Sequence, residues 1–384
     1  MTADVDVAII GAGVVGLAAA AELSRADARR SVALLERHAG YGRENSSHNS
    51  GVVHAGIYFP PDWLKTTLCL EGNRLLYHWA REHGVRARQA GKLIVAVGEG
   101  ELAELHDVYR RATANGVPGL SLLDERDVRS LEPGVKAAAA ILSETSGVID
   151  QMGLMRSLFQ ASCAGGAHVA FGHEVSAVER SGGGFLVHGA GPGGAPFSLA
   201  ARQLVNSAGL AAGRIGALLG YDPAGGRDNP PFAQTVSRGC YYDVAPGSAA
   251  ARVRHLVYPV PPPQREGLGI HLTVDIDGGV HLGPDAEWLA PGDPLDFRSV
   301  DRRRNAFLQS AQRYLPALQG DDLVPGQTGY RPKLQRPGED PRDFLIWHDR
   351  GYVHLGGIES PGLTASLAIA RRVAAMLGPE GPAG

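Results

Sequence analysis

Gly11, Gly13 and Gly16, with Glu36 twenty residues further on, are the first residues in the chain whose types and spacing can do chemistry. The spacing G-x-G-x-x-G suits a dinucleotide. Gly11 permits a tight turn, Gly13 lets the backbone approach a pyrophosphate, and Gly16 lets a helix pack closely on a strand. Val15 lies in the same turn. A carboxylate at Glu36 can accept hydrogen bonds from ribose hydroxyls, and Arg37 follows it. A second polar group comes in the stretch 41–59, where Ser46, Ser47, Asn49 and Ser50 offer hydrogen bonds and Gly51 and Val52 follow. Small residues of this kind allow a planar ligand to come close.

These residues need elements to position them. Val5 to Ile10 is a short apolar run with β-branched residues, as in a buried parallel strand. Leu17 to Leu23 continues as an alanine-rich helix, whose N-terminus presents unpaired N–H groups and a partial positive charge to phosphates. Ser31 to Leu35 reads as a second strand and delivers Glu36 at its end. Strand, turn, helix, strand and acid together predict a dinucleotide site.

Composition bounds the rest. The 384 residues are 44% hydrophobic and 20% charged, which predicts two domains with full cores and excludes wholesale disorder. A net charge of −3 excludes a general nucleic-acid binder. Cys69, Cys163 and Cys240 lie far apart with no C-x-x-C spacing, so no metal site is expected, and reduced thiols fit a cytoplasmic location. The first strand begins within a few residues of Met1, so no signal peptide is expected. No apolar run reaches membrane-span length, although peripheral contact at an inner membrane face stays compatible with the sequence.

The stretch Ser46-Ser47-His48-Asn49-Ser50-Gly51-Val52-Val53-His54-Ala55-Gly56-Ile57-Tyr58 resembles the FAD-dependent L-2-hydroxyglutarate dehydrogenase/oxidase family, within the wider D-amino-acid-oxidase-like flavoprotein group. The resemblance continues through Leu64 to Gly72, Tyr258 to Pro261, Gly269 to Thr273, His281 to Ala286, Gly329 to Leu334 and Gly357 to Ala370. It implies FAD as cofactor and an α/β fold: a Rossmann-like FAD-binding domain carrying an inserted, discontinuous antiparallel-sheet substrate domain. The expected boundaries are 1–90, 145–230 and 340–384 for the FAD-binding domain, and 91–144 with 231–339 for the substrate domain. By the same resemblance Val175, Ala208 and Gly209 contact the cofactor, as do Gly357, Ile358, Gly362, Leu363 and Thr364 in the C-terminal turn. The helix beginning there aims its dipole at the flavin pyrimidine edge.

Oxidising a 2-hydroxy acid requires a base for the hydroxyl proton and donors for the carboxylates, since the flavin performs the redox step. Of 14 histidines, His54 and His271 sit in segments that the resemblance places near the flavin ring. His48 is expected to order the loop, and His281 is a weaker candidate. Arg331 is the expected carboxylate clamp, because a guanidinium engages both oxygens in one plane; Lys333 shares its alternation and offers charge for a second carboxylate. Tyr242 and Tyr258 are candidate hydroxyl donors, with core packing the competing role. The implied reaction is oxidation of L-2-hydroxyglutarate to 2-oxoglutarate with oxygen or a quinone as acceptor. Cys240-Tyr241 and the form Tyr330-Arg331-Pro332-Lys333 depart from the family pattern in the substrate domain. An amino-acid or amine oxidase of the same wider group is the alternative.

Between these landmarks, Lys92 to Val97 reads as a strand, and Glu101 to Asn115 and Arg302 to Leu315 as amphipathic helices. Gly239 to Val244, His255 to Val260, Leu268 to Asp275 and Gly279 to Leu282 read as strands of an antiparallel sheet.

Overall fold

Val7, Ala8 and Ile9 have no exposed surface, because Val5–Ile10 runs between two parallel neighbours, Val32–Glu36 and the far end of Pro196–Asn206. In the computed structural model, which describes residues 3–27, 29–261 and 269–378, these strands belong to the first of two compact units. This unit comprises residues 1–47, 151–236 and 331–384. Its sheet continues in parallel to His168–Phe171 on one side and to Tyr352–Gly356 on the other. Pro196–Asn206 also begins as the last strand of an antiparallel meander with Glu174–Ser181 and Gly184–Ala190. The helix Val14–Ala26 buries most of its apolar residues, and Gly362–Leu377 buries Ala365, Ala368, Ile369, Ala370, Val373 and Leu377. Gly378, with φ of 63°, ends the second. This helix begins three residues earlier than its alanine run, since Pro361 at its N-cap already tolerates the missing N–H.

The second unit comprises residues 48–150 and 237–330. Its sheet runs in the order Glu287–Trp288, Thr235–Val244, Val280–Leu282, Leu272–Val274, Leu256–Pro259, Lys92–Ala96, Ala139–Ser143, Leu120–Asp124, with Leu323–Lys333 pairing to Thr235–Val244. Along that eight-strand order the pairs are antiparallel except one, Leu256–Pro259 beside Lys92–Ala96, which is parallel and brings Tyr258 opposite Ile94. In the strand Lys92–Ala96, Leu93 and Val95 enter one core while Ile94 and Ala96 enter another. The period of two therefore sends the Lys92 side chain to the same face as Ile94 and Ala96.

The unit boundaries depart from those expected. Residues 48–90 and 145–150 fall in the second unit, because Val52–Val53 and Ala87–Arg88 both pair with Gly147–Ile149 and Val52 enters the core there. Residues 231–236 and 331–339 fall in the first. The predicted helix 302–315 is confined to Arg304–Gln312. Leu268, the expected start of a strand, lies outside the described residues, and that strand is Leu272–Val274.

Candidate active site

Gly11 adopts φ of 102°, and a Cβ there would lie 2.7 Å from the Ser207 carbonyl oxygen, so only glycine fits. At Gly16 a Cβ would sit 1.9 Å from the Gly11 carbonyl oxygen. This is the close helix–strand approach expected from the spacing. Gly13 has ordinary backbone angles, and a Cβ on it would meet the Ser46 hydroxyl at 3.0 Å. Ser46 Oγ accepts the Val14 N–H at 2.9 Å and so caps the helix from outside it. Val15, in the same first turn, is partly buried.

Glu36 is 8% exposed. Its Oε2 accepts the Ala12 N–H at 2.8 Å and its Oε1 the His38 N–H at 2.9 Å. Two backbone donors fix the carboxylate beside the glycine turn while lone pairs remain on both oxygens for hydroxyl donors. Arg37 pairs with Glu44, which His38 also contacts at 2.7 Å. Ser47 donates to the Glu44 carbonyl at 3.1 Å. On the other side of the turn, Ser207 Oγ donates toward the Ile10 and Gly11 carbonyls at 2.9 and 3.0 Å. Ala208 and Gly209 follow, Gly209 with φ of 55° and open space where a Cβ would be. Val175 is buried in the meander.

Gln234, which sequence reasoning missed, joins two glycine turns. Its amide nitrogen donates to the Gly209 carbonyl at 3.1 Å, and its oxygen accepts the Gly357 N–H at 2.9 Å. Ile358, Gly362, Leu363 and Thr364 follow in the turn and first helical residues, and no side chain caps that helix N-terminus. Lys333 Nζ lies 2.6 Å from Glu359 Oε2. Arg331 is partly buried on the strand Leu323–Lys333. A fixed buried carboxylate beside the turn and glycines at each close approach to it fit a dinucleotide such as FAD.

The second unit holds the titratable candidates. Asn49 Oδ1 accepts the Gly51 N–H at 2.9 Å, shaping the turn at Ser50 that leads into Val52–Val53 and then His54. Asn73 Nδ2 donates to the His54 carbonyl at 2.8 Å and to Thr145 at 2.9 Å, which fixes the backbone at this histidine. Burial, then the Lys92 charge and His271, hold the His54 imidazole well below its usual range. His271 is 6% exposed, and its Nδ1 lies 3.1 Å from the Gly269 carbonyl. A carbonyl only accepts, so Nδ1 carries a proton. Tyr258 stacks on His271 at 3.8 Å between centroids, and Lys92 Nζ lies 4.0 Å from the Tyr258 centroid.

Lys92 has no exposed surface, and neither its Nζ nor the Tyr58 hydroxyl has a hydrogen-bond partner among the described residues. Burial pulls the Lys92 ammonium down to about 7. The signal for it was one charged side chain in the apolar run Lys-Leu-Ile-Val-Ala. Tyr242, by contrast, has its hydroxyl 2.7 Å from both Asp301 Oδ1 and the Arg302 carbonyl, and its ring packs edge-on to Phe307. His281 lies between Asp243 at 2.7 Å and Asp275 at 3.0 Å; burial opposes its charge, but the two carboxylates raise it overall. The two carboxylates favour its charged form, which counts against it as a base. His48 packs against Phe297. Among the described residues, no helix is long and apolar enough to cross a membrane.

The chain resembles L-2-hydroxyglutarate dehydrogenases along its length. It is 36% identical to the mitochondrial enzyme of Arabidopsis thaliana, with 96% of this chain and 83% of that protein covered. With the mitochondrial enzyme of Homo sapiens it shares 30% identity over 97% and 88% of the two chains. Among solved structures, the dithionite-reduced L-alpha-glycerophosphate oxidase of Mycoplasma pneumoniae with FAD bound superposes with a TM-score of 0.83. That pair is 27% identical, with 97% of this chain and 94% of the other covered. Glycine oxidase from Geobacillus kaustophilus shares the fold at 22% identity, a TM-score of 0.78, and 98% and 95% coverage. Residues 6–376 match the family described as FAD dependent oxidoreductase, and the chain belongs to that family.

Proposed function

We propose that this FAD-dependent enzyme oxidises L-2-hydroxyglutarate to 2-oxoglutarate. The observation that carries the reading is the identity of 29–36% to L-2-hydroxyglutarate dehydrogenases of plant, animal and bacterial origin, covering 95% or more of this chain in each case. Bound FAD supplies the acceptor for the hydride leaving the substrate Cα. The protein's part is to take the hydroxyl proton and hold the carboxylates. His54 or His271 takes the proton: burial disfavours the charged form of His54, and His271 is buried with its Nδ1 held by the Gly269 carbonyl. Arg331 receives a carboxylate through its planar guanidinium. Tyr258 orders His271 by stacking on it. Lys333, drawn to Glu359, lends its charge near the C-terminal turn.

The glycine turns around Gly11, Gly13 and Gly357 and the carboxylate of Glu36 hold the cofactor, with Ser46 and Gln234 fixing the turns. Oxygen or a quinone is the proposed final acceptor, and the cytoplasm, with or without contact to a membrane face, the proposed location. Anaerobic mixing with L-2-hydroxyglutarate, its D enantiomer, lactate, malate, glycine and D-amino acids tests the reading. Bleaching by the L-2-hydroxy diacid supports it. Bleaching by amino acids, and not by hydroxy acids, replaces it with an amino-acid oxidase.

A further inference from the structure

Three neighbouring parallel strands of the first unit lead into glycine turns at one edge of the sheet. Val5–Ile10 runs into Gly11, Pro196–Asn206 into the turn at Gly209, and Tyr352–Gly356 into Gly357. The middle strand is fixed by register on both sides, with Val205 opposite Ile9 and Val353. In an open parallel sheet, ligands bind in the crevice beyond the carboxyl ends of the strands.

One side chain spans two of these turns. Gln234 Nε2 donates to the Gly209 carbonyl at 3.1 Å and to the Leu210 carbonyl at 3.4 Å, while Gln234 Oε1 accepts the Gly357 N–H at 2.9 Å. The ladder between the two strands ends at Asn206 and His354, so the carboxamide carries the pairing on into the turns. Gln234 reaches them from a fixed base. It follows the helix Ala212–Leu218 through an irregular segment that Phe232 pins, its side chain fully buried and its ring 4.9 Å from that of His354. Phe232 and Ala233 both donate their N–H to the Pro223 carbonyl, at 3.0 and 2.9 Å. A carboxamide offers a donor and an acceptor on one planar group, as a carbonyl on one turn and an N–H on the other require. A carboxylate has acceptors only and would set a lone pair against the Gly209 carbonyl; a protonated carboxylic acid regains the donor.

We propose that Gln234 is a positioning residue for FAD: its carboxamide clasps the Gly209 and Gly357 turns at the spacing the bound cofactor needs, and release of the cofactor requires the clasp to part. The proposal rests on the reading of these turns as part of the FAD site. It adds a side chain from outside the three strands that governs how long FAD stays bound, with both ends of the amide needed.

Gln234→Glu tests this, because its carboxyl group has nearly the shape of the amide and is switched by pH. Diluted holoenzyme is followed by the fluorescence of released flavin from pH 5 to 8.5, each rate being compared with the native enzyme at the same pH. At pH 8.5 the carboxylate lacks the donor, and release is expected to be about tenfold faster than native. Toward pH 5 the protonated acid donates to Gly209 and accepts from Gly357, and release is expected to return to the native rate. A native rate at every pH overturns the proposal. A rate raised by one constant factor shows a packing role only and also overturns it. Where Gln234→Glu does not fold, Gln234→Leu, which keeps the volume and loses both hydrogen bonds, decides: faster release supports the clasp and native release overturns it. No substrate enters these measurements, so their failure is distinct from a failure of L-2-hydroxyglutarate to reduce the flavin. Native enzyme that neither purifies with FAD nor takes it up would instead overturn the reading of the FAD site itself.

Discussion

Lys333 Nζ and Glu359 Oε2 lie 2.6 Å apart, with the lysine side chain 19% and the glutamate side chain 7% exposed. The pair ties the end of the strand Leu323–Lys333 to the turn that starts the helix Gly362–Leu377. Removing either partner leaves a largely buried charge, which costs about 3 kcal/mol. Lys333→Met and Glu359→Gln are both expected to lower the melting temperature of the FAD-loaded enzyme by several degrees. A tenfold or greater rise in KM for Lys333→Met alone, with Glu359→Gln inert, would assign Lys333 to the substrate instead.

Glu36 is held by two backbone N–H groups and offers its remaining lone pairs beside the glycine turn. Hydrogen bonds to a charged group contribute roughly 1.5–3 kcal/mol each. Glu36→Ala is therefore expected to weaken FAD binding at least tenfold, read as flavin retained after gel filtration. Full flavin content in this variant would remove Glu36 from the cofactor.

Two histidines give stability opposite dependences on pH. His354 is fully buried, with Nδ1 accepting from Tyr352 Oη at 2.9 Å, and burial pulls it from 6.5 to about 4. The native state therefore binds fewer protons than the unfolded chain between these values. Its contribution is whole above pH 6.5 and is lost as pH falls toward 4, on the order of 3 kcal/mol. His281, raised by Asp243 and Asp275, contributes fully below its unfolded value and loses that contribution as pH rises through its folded one. Urea unfolding at pH 5 and 7.5 is expected to show a smaller acid loss in His354→Asn and a larger one in His281→Asn. Parallel pH profiles in all three proteins would contradict both assignments.

Replacing the true base among His54 and His271 by alanine is expected to lower the flavin reduction rate by roughly a hundredfold to ten-thousandfold. Arg331→Ala is expected chiefly to raise the substrate dissociation constant. Stopped-flow reduction over a substrate series separates the two effects. Normal reduction rates in both histidine variants and in the double variant would exclude both as the base.

The cofactor turn was legible because its chemistry is local. Gly11, Gly16 and Glu36 act within one strand–helix–strand run, and the close approaches at both glycines are those their spacing requires. Pairings across long separations were not legible. Gln234 meets Gly357 over 123 residues, and Tyr242 meets Asp301 over 59; neither partner carries a pattern in its own neighbourhood. The boundary near residue 48 was misplaced for the same reason, since Val52–Val53 finds its partner at Gly147–Ile149. Lys92 was visible as a strand residue, but its burial without a hydrogen-bond partner among the described residues is a property of the packed cluster alone.

The central claim is oxidation of a 2-hydroxy diacid by this chain's FAD. Under anaerobic single-turnover conditions, one equivalent of L-2-hydroxyglutarate should bleach the flavin and release one 2-oxoglutarate per flavin reduced. Deuterium at C2 should slow the bleaching. A flavin that stays oxidised with this substrate, in a protein retaining its full FAD content, would contradict the account.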